Sequence, residues 1–213
     1  MPESTATEFP EMEKILVKII SSQTLHCQWL NLLSYLEFTG SRKIFKTQQN
    51  RYIGESVLKH ASDEARHALL LKQMLGRIQS DEHYRFYDYK HMICPFSGYR
   101  YMQSLDSMVK RRLQESADYA PEFNYLCYIY VSFVIEVRAN WLYDIYARLL
   151  AEAGLEIKLD GIINDEIRHL DQMKKEIDVL DKDQDTNIRF FLAREKILFE
   201  RFLLNLQKAI VRK

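Results

Sequence analysis

Proline occupies only four positions in this chain of 213 residues, and the intervals between them are long. None lies between Pro10 and Pro95, and none follows Pro121. Glycine is also scarce, with six residues. Folds rich in tight turns need glycine for positive φ and proline for fixed φ, so this shortage argues against a β protein. The sequence therefore predicts an all-α fold with long, uninterrupted helices.

Hydrophobic periodicity divides the chain into helices separated by polar or glycine-containing breaks. We predict four bundle helices, arranged as two antiparallel pairs, over about 11–46, 51–77, 122–151 and 156–180. The polar stretch 46–50 separates the first pair, Gly76 is the expected cap of the second helix, and Gly154 marks the turn of the second pair. A crossover over 78–121 contains a helix at about 98–117, and a last helix spans about 187–212. With 47% hydrophobic residues, the chain can fill one core, so we predict a single domain over 1–213.

The charge balance excludes several classes of partner. Lysine plus arginine number 30, and so do aspartate plus glutamate, so no excess field attracts nucleic acid or an anionic membrane. The longest near-apolar run, Tyr125 to Ile135, is too short to span a bilayer. The first residues are acidic and polar, unlike a signal peptide, and three cysteines without metal-ligand spacing suit reduced thiols. We expect a cytoplasmic protein with no membrane or nucleic-acid partner; a homodimer is compatible with the sequence but not required by it.

A five-residue motif, D-E-x-R-H, occurs once in each predicted helix pair. The first copy runs from Asp63 to His67 and the second from Asp165 to His169. Glutamate and histidine at positions i and i+3 share one face of a helix. Each copy can therefore present one carboxylate and one imidazole to the same point.

Each pair also has a glutamate in its other helix at a matching height. For Glu37 and Glu64 the sequence midpoint falls at 50–51, inside the predicted polar break. For Glu136 and Glu166 it falls at 151, just before Gly154. Glu37 and Glu136 both interrupt apolar surroundings, where a charged group seldom lies without a partner. The sequence thus predicts that all these side chains meet at one level of the bundle.

Four glutamates and two histidines form the ligand set of a dinuclear, carboxylate-bridged metal centre in a helix bundle. The predicted metal ligands, which would also carry the reaction, are Glu37, Glu64, His67, Glu136, Glu166 and His169. Four buried carboxylates carry four negative charges, which two divalent cations neutralise. Hard oxygen donors with two imidazoles suit iron or manganese better than zinc or copper(I). We predict two iron ions, with manganese or a mixed pair as the alternative.

The repeated pattern of a glutamate followed by D-E-x-R-H resembles that of the ferritin-like di-iron carboxylate superfamily. The complete motif is similar to those of the bacterial multicomponent monooxygenases, the acyl carrier protein desaturases and related di-iron oxygenases. The resemblance implies a ferritin-like four-helix bundle, here with a long helical crossover and an extra C-terminal helix. It implies that Glu64 and Glu166 bridge the metals. It also implies that Asp63 and Asp165 accept hydrogen bonds from the ligand histidines across the bundle, and that Arg66 and Arg168 hold those aspartates.

The resemblance implies an O2-activating oxidoreductase that hydroxylates, N-oxygenates or oxidatively cleaves a small, largely apolar organic substrate, using an external electron donor. One alternative is a ferroxidase, peroxidase or iron-handling protein of ferritin or rubrerythrin type, although no C-x-x-C pair is present to hold a rubredoxin iron. Another is a partner or radical-holding subunit similar to the small subunit of ribonucleotide reductase. That role needs a tyrosine beside the metals, and the 13 tyrosines cannot be ranked from sequence.

Three further residues lie near the predicted ligands. His60 precedes Glu64 by one turn, as a candidate extra ligand or ligand partner, but a satisfied structural histidine fits the same position. The extra histidine of the similar di-iron N-oxygenases belongs to the second pair, where this chain has Ile162. Asn140, one turn beyond Glu136, is a candidate for hydrogen bonding to bound oxygen. Gly40 leaves room either for substrate or for a close helix contact.

Overall fold

The computed structural model describes residues 9–47, 53–115 and 122–212, and these segments are helical with no β-strand. This confirms the predicted all-α class. Seven helices occur in the described part of the chain: α1 Pro10–Ser21, α2 Gln23–Thr47, α3 Glu55–Ile78, α4 Pro95–Gln114, α5 Phe123–Glu152, α6 Asp160–Leu180 and α7 Gln184–Val211. Two short 3-10 turns, Glu82–Arg85 and Tyr89–His91, lie between α3 and α4. Among these helices, none has both the length and the apolar character needed to cross a bilayer.

Helices α2 and α3 pack against each other in antiparallel directions. Two serines on α2 donate hydrogen bonds to backbone carbonyls on α3: Ser34 Oγ to Ala68 at 2.6 Å, and Ser41 Oγ to Ala61 at 2.7 Å. A step of seven residues along α2 therefore matches a step of seven in the opposite direction along α3. The register places Glu37 level with Glu64. Helices α5 and α6 form the second packed pair, while α1, α4 and α7 cover the remaining faces.

The buried residues form apolar layers above and below a polar layer. On α2, for example, Leu33 and Ile44 belong to separate apolar clusters, and Glu37 lies between them. On α5, Val134 and Leu142 likewise belong to different clusters on either side of Glu136. The apolar layers supply the burial that stabilises the fold. The polar layer between them collects the predicted ligands.

The first predicted helix, 11–46, is wrong as a single element. It consists of α1 and α2, separated at Ser22, whose backbone is extended with φ −119° and ψ 114°. The Leu25 N–H donates to Ser22 Oγ at 3.4 Å, so this serine helps to cap the start of α2. Serine's preference for this position explains the break, which apolar periodicity alone does not reveal.

Helix ends differ from the predictions in other places. Gly76 lies inside α3, which continues to Ile78, so Gly76 is not the cap that the sequence predicted. The crossover helix begins at Pro95 because proline suits the first helical position, and it ends at Gln114. Helix α2 ends at Thr47. The rest of the polar break, the predicted start of the second helix at 51 and positions 116–121 lie outside the described residues.

The turn after α5 follows the prediction for Gly154 more closely. Gly154 has φ +69°, which glycine adopts without steric cost. Its N–H donates to the carbonyl of Ala151, and the N–H of Leu155 donates to that of Leu150, both at 3.0 Å. These two bonds define a Schellman motif. The chain then stays non-helical, so α6 starts at Asp160 rather than 156.

Candidate metal centre

The six predicted ligands converge in the polar layer, brought there by four different helices. Helix α2 contributes Glu37 and α5 contributes Glu136, while the two D-E-x-R-H motifs lie on α3 and α6. Two groups of potential ligands result, each with its ligand atoms within 4.8 Å of one another. Group A comprises Glu37, Glu64, His67 and Glu166. Group B comprises His60, Glu64, Glu136 and His169.

Glu64 belongs to both groups and so lies between two potential metal positions. In group A, His67 Nδ1 is 3.9 Å from carboxylate oxygens of both Glu37 and Glu64, and 3.2 Å from Glu166 Oε1. In group B, His169 Nδ1 lies 3.5 Å from Glu136 Oε1. The other oxygen of Glu166, Oε2, is 4.0 Å from His169 Nδ1. Glu64 and Glu166 thus both face the two groups, as bridging carboxylates must.

The aspartates and arginines of the two motifs form a ring that crosses from α3 to α6. His67 Nε2 donates to Asp165 Oδ2 at 3.2 Å, and His169 Nε2 donates to Asp63 Oδ2 at 3.1 Å. Each aspartate therefore orients the histidine of the opposite helix. Each arginine contacts both aspartates. Arg66 Nη2 donates to Asp63 at 2.9 Å and to Asp165. Arg168 donates to Asp63 at 2.8 Å and lies 2.6 Å from an Asp165 carboxylate oxygen.

This ring determines which nitrogen of each imidazole is available. Because Nε2 donates to an aspartate, Nδ1 keeps its lone pair and faces the carboxylates. Within the described part of the chain, the Nδ1 atoms of His67 and His169 are buried and have no hydrogen-bond partner. Glu166 Oε2 is buried in the same way. Buried polar atoms rarely stay unpaired, so these nitrogen and oxygen atoms, which have lone pairs to donate, could bind metal ions.

Electrostatic interactions shift the pKa values of the carboxyl groups in different directions. Burial raises the pKa of Glu37 well above its ordinary range, and the nearby Glu64 and Glu166 carboxylates raise it further. Burial, together with Glu136 and Glu64, also raises the pKa of Glu166. Burial opposes ionisation of Glu64 too, but contact with His60 outweighs it and lowers the Glu64 pKa. A centre without cations therefore retains protons on some of its carboxyl groups.

The pKa values of Asp63 and Asp165, the aspartates of the outer ring, are lowered, whereas those of Glu37 and Glu166 are raised. Burial alone would raise the pKa of Asp165, but hydrogen bonds from Arg66, His67 and Arg168 outweigh it and lower that pKa to about 2. The pKa of Asp63 is also lowered, since the bonds from Arg66 and His169 exceed the effect of burial. Both aspartates are therefore ionised at neutral pH and can hold the imidazole N–H groups.

His60 lies close to the carboxylates of Glu136 and Glu64, and the sequence pattern did not require either contact. Its Nε2 is 2.8 Å from Glu136 Oε1 and 3.5 Å from Glu64 Oε1, while Nδ1 lies 2.7 Å from the Tyr128 hydroxyl. Burial lowers its pKa, but the Glu136 and Glu64 carboxylates outweigh that effect and raise it well above its ordinary value.

Asn140 is placed differently. Its Oδ1 is buried without a hydrogen-bond partner among the described residues, and it belongs to neither ligand group.

Two tyrosines outside the predicted ligand set contact the ligands. Tyr143 donates from its hydroxyl to Glu37 Oε1, and Tyr128 contacts His60. Both tyrosines are on α5, as is Glu136. Tyr143 lies about two turns after Glu136, and Tyr128 about two turns before it. The helical spacing of Tyr143 from Glu136, at i+7, is visible in the sequence, but the partner of its hydroxyl is not.

Gly40 makes space for Glu64. A Cβ built on Gly40 would lie 2.9 Å from Glu64 Oε2, closer than real Cβ contacts allow. The geometry fits both predicted explanations, because the shared carboxylate of the neighbouring helix lies against Gly40 and Gly40 also lines a cavity that reaches Glu64. Ser41 reinforces the close approach of α2 to α3 through its bond to Ala61.

We expect Gly40→Ala to weaken metal binding by about 10- to 100-fold, as displacement of a group that orients a ligand typically does. The added methyl displaces the Glu64 carboxylate, and metal titration followed by calorimetry measures the loss. Gly76→Ala is the matched control, because its Cβ meets nothing and it lies within a helix. The Gly76→Ala control should gain about 1 kcal/mol in the free energy of unfolding and keep the metal affinity of the wild type. Equal affinities in both variants would contradict the packing argument.

Two cavities adjoin the ligand layer. The first, of about 120 Å³, has the exposed residues Lys110 and Asn124 in its wall and reaches His60, Glu64 and Glu136. We call it the vestibule. The second, of about 80 Å³, is lined mainly by apolar side chains and reaches Glu37, Glu64 and Glu166, and we call it the chamber.

The fold and the site together define an all-α protein with a buried carboxylate and histidine cluster that could bind metal. No family model matches the chain, and comparisons with curated proteins and with solved structures give no match. Function is therefore inferred from the chemistry of the site.

Proposed function

We propose that this protein is a ferritin-like di-iron oxidoreductase that uses O2 to oxidise a small, largely apolar organic substrate, with electrons from an external donor. The observation that carries the proposal is the pair of ligand groups sharing Glu64 at the edge of an apolar chamber. In this proposal α2, α3, α5 and α6 are the four helices of a ferritin-like bundle, with the crossover and α7 packed outside it. Manganese, or one ion of each metal, is the alternative occupant.

The donor set and its charge support this metal assignment. Glu37, Glu64, Glu136 and Glu166 supply four carboxylates, and two divalent cations would neutralise them without an added anion. When bound, two iron ions would supply the redox chemistry by which O2 oxidises a substrate. The remaining work belongs to the chain: aspartates and arginines hold the imidazoles, and the apolar layers exclude water.

The surroundings favour oxidation of an organic substrate over iron storage. A route for Fe(II) is expected to be lined by carboxylates, which attract cations. The vestibule instead carries Lys43 and Lys110 beside the single aspartate Asp106, which pairs with Lys43 at 3.4 Å. The chamber offers mainly leucine, phenylalanine and other apolar side chains. Such a lining suits a small organic molecule.

Stepwise addition of Fe(II) under O2 tests the proposal. An oxygenase oxidises about two iron ions per chain and then stops unless reductant and substrate are supplied, because its centre holds two ions. A ferroxidase continues through many equivalents. Oxygen consumption that depends on both a reductant and an uncharged organic substrate would complete the evidence. Continued turnover of iron, with retention of mineral, would instead assign the iron-handling alternative.

A radical-holding role is the second candidate, and Tyr143 is the observation that favours it. Its hydroxyl donates to Glu37, and burial together with that carboxylate raises the Tyr143 pKa well above its ordinary value. A buried, hydrogen-bonded phenol beside the metals is what that role needs. An organic-radical signal in electron paramagnetic resonance that vanishes in Tyr143→Phe would support it. The absence of that signal in the wild-type protein after exposure to O2 would reject it.

We propose in addition that His60 binds the metal ion of group B, which makes the two metal positions unequal. We expect His60→Ala to weaken binding of one ion by about 10- to 100-fold while the other ion is retained. Titration with Co(II), followed by visible absorption and elemental analysis, resolves the two steps. Tyr128→Phe is the control, because it keeps the imidazole and removes only the partner of Nδ1, so a smaller loss is expected. Wild-type affinity for both ions in His60→Ala would exclude a ligand role.

A further inference from the structure

One face of the molecule, between α4 and α7, carries a groove rich in positive charge. The two helices run antiparallel there: Asn205 Nδ2 donates to Ser97 Oγ at 2.9 Å near one end. Near the other end, Arg112 Nε donates to Asn187 Oδ1 at 3.3 Å. In the described part of the chain, six of the 30 basic residues and one of the 30 acidic residues line this groove. We call it the basic groove, and its cations are Arg100, Arg111, Arg112, Arg194, Arg201 and Lys208.

Helical spacing explains why these cations share one groove. On α7, Arg194, Arg201 and Lys208 are seven residues apart, which is about two turns, so they share a face of the helix. On α4, Arg100 and Arg111 are about three turns apart and also share a face. The distance along α7 from Arg194 to Lys208 is about 21 Å. The groove therefore presents an extended row of positive charge rather than a pocket for one small anion.

Most of these cations have no opposite charge beside them. Of the six, only Arg112 forms an ion pair with a residue that the structure describes, Glu115 at 3.2 Å. Because the whole chain has no net charge, a local excess of five positive charges leaves an equal negative excess elsewhere. The neutral total therefore conceals a strong local field, which the sequence composition did not reveal.

The side chains of the groove favour an acidic protein over a nucleic acid as its occupant. Single strands bind through bases that stack on accessible aromatic rings. Among the described residues that line the groove, no aromatic side chain is exposed. Phe190 lies beside the guanidinium carbons of Arg112 and Arg194, 5.2 and 5.5 Å from its ring centroid. Leu204 and Asn205 instead add the apolar and polar contacts that accompany arginine in protein interfaces.

The basic groove also lies close to the ligand layer. Tyr101 and Phe202 line both this groove and the chamber, with their ring centroids 6.1 Å apart. The chamber in turn reaches Glu37 and Glu166. A molecule in the groove is therefore separated from the cavity beside the ligands by one layer of aromatic side chains. An electron donor, unlike a substrate, does not have to enter that cavity to react.

We propose that the basic groove is the docking surface for the acidic face of a partner protein. The role of this partner as the external electron donor rests on the proposed function; the docking surface does not. When one atom of O2 is inserted into a C–H bond, the other forms water, which consumes two electrons and two protons. The docked partner is oxidised and supplies the electrons, while the protons come from solvent. Opposite charges steer the partner to the groove and fix its orientation.

Fluorescence anisotropy of the metal-free, full chain tests the docking surface with two labelled helical peptides of about 20 residues. One peptide carries about six glutamates along one face, to match the cations of the groove, and the other carries glutamine at those positions. We expect the acidic peptide to bind at least about tenfold more tightly at low salt. In about 1 M salt the two affinities should agree within about twofold, because exposed charges are screened. Equal affinities at low salt would overturn the proposal.

Substitutions at Arg201 locate the binding. Arg201 is exposed and lines both halves of the groove, so Arg201→Glu should weaken binding of the acidic peptide about tenfold, and Arg201→Gln about threefold. Arg77→Glu is the matched control, because Arg77 is exposed on α3, outside the groove, and its reversal changes the net charge equally. The control should stay within about twofold of the wild type. Wild-type affinity in Arg201→Glu would exclude this docking surface.

A single-stranded oligonucleotide with the same number of negative charges as the acidic peptide tests the competing occupant. We expect it to bind at least about threefold more weakly than the peptide, because no exposed aromatic ring in the described groove can stack on its bases. Tighter binding that is lost in Arg201→Glu would assign the groove to a nucleic acid and reject an acidic protein.

Electron transfer to the iron-loaded protein tests the partner's role separately. The donor is a reduced, acidic ferredoxin of the plant type, and hydroquinone is the small uncharged control. Arg201→Glu should raise KM for the ferredoxin about tenfold, leave kcat within about twofold and leave oxygen consumption with hydroquinone unchanged. Weaker peptide binding without a change in that KM would retain the docking surface and overturn the electron-donor role. Peptide binding by a chain that takes up no iron would reject the proposed function and retain the docking surface.

Discussion

We expect Glu64→Ala to reduce the metal content of the protein from about two ions per chain to fewer than one, because both ligand groups lose their shared carboxylate. The same change should remove the stabilisation by metal. A ligand that binds only the folded state contributes about 4 kcal/mol at 1,000 times its dissociation constant. The variant should lose most of that increment, and elemental analysis with chemical denaturation in the presence and absence of Fe(II) measures both effects.

Glu55→Ala is the control for this experiment. Glu55 lies on the same helix, α3, and is exposed. It should retain full metal content and the full metal-dependent gain in stability. Without metal, the stabilities of Glu64→Ala and the wild type should differ by less than they do with metal, because neither then has the metal-dependent gain. Two bound ions in Glu64→Ala would refute the dinuclear centre.

We expect the metal-free protein to lose stability as the pH rises from about 5 to about 8. Burial and neighbouring carboxylates raise the pKa values of Glu37 and Glu166, so their folded forms hold protons that the unfolded chain has already released. His60 acts in the same direction above its unfolded pKa, because the Glu136 and Glu64 carboxylates outweigh its burial and raise its pKa. For each proton that the folded form keeps and the unfolded form has released, the free energy of unfolding falls by about 1.4 kcal/mol for every unit by which the pH rises.

The groups with lowered pKa values affect the stability of the fold in a more acidic pH range. Glu64 and Asp165 stabilise the fold above their unfolded pKa values, and that contribution is lost only as the pH falls through their folded values. Denaturation of the metal-free protein at several pH values measures the predicted slope, and Glu37→Gln should reduce it by removing one proton. Metal-loaded protein should lack the slope, because cations replace those protons. Stability that increases throughout this range would contradict the prediction.

Several parts of the site could be predicted from sequence because they depend on helical spacing. The i and i+3 positions of Glu64 and His67 place both on one face of α3 whatever surrounds them. The midpoint rule placed Glu37 level with Glu64, and the bonds from Ser34 and Ser41 show the same register. Ser22 illustrates the opposite case. The helix break at Ser22 does not interrupt the helical spacing of the apolar residues. That spacing therefore predicted one helix across the break.

Helical class, the two antiparallel pairs and the shared level of the carboxylates follow from amino-acid order, because these properties repeat every turn and depend on neighbours close in the chain. The role of Gly40, the contacts of His60 and Tyr143, and the apolar cavity beside the ligand layer became apparent only in the folded chain. Each of them joins residues on different helices. The distance between such residues depends on how the helices rotate and approach one another, and that is determined by the packing of the whole core.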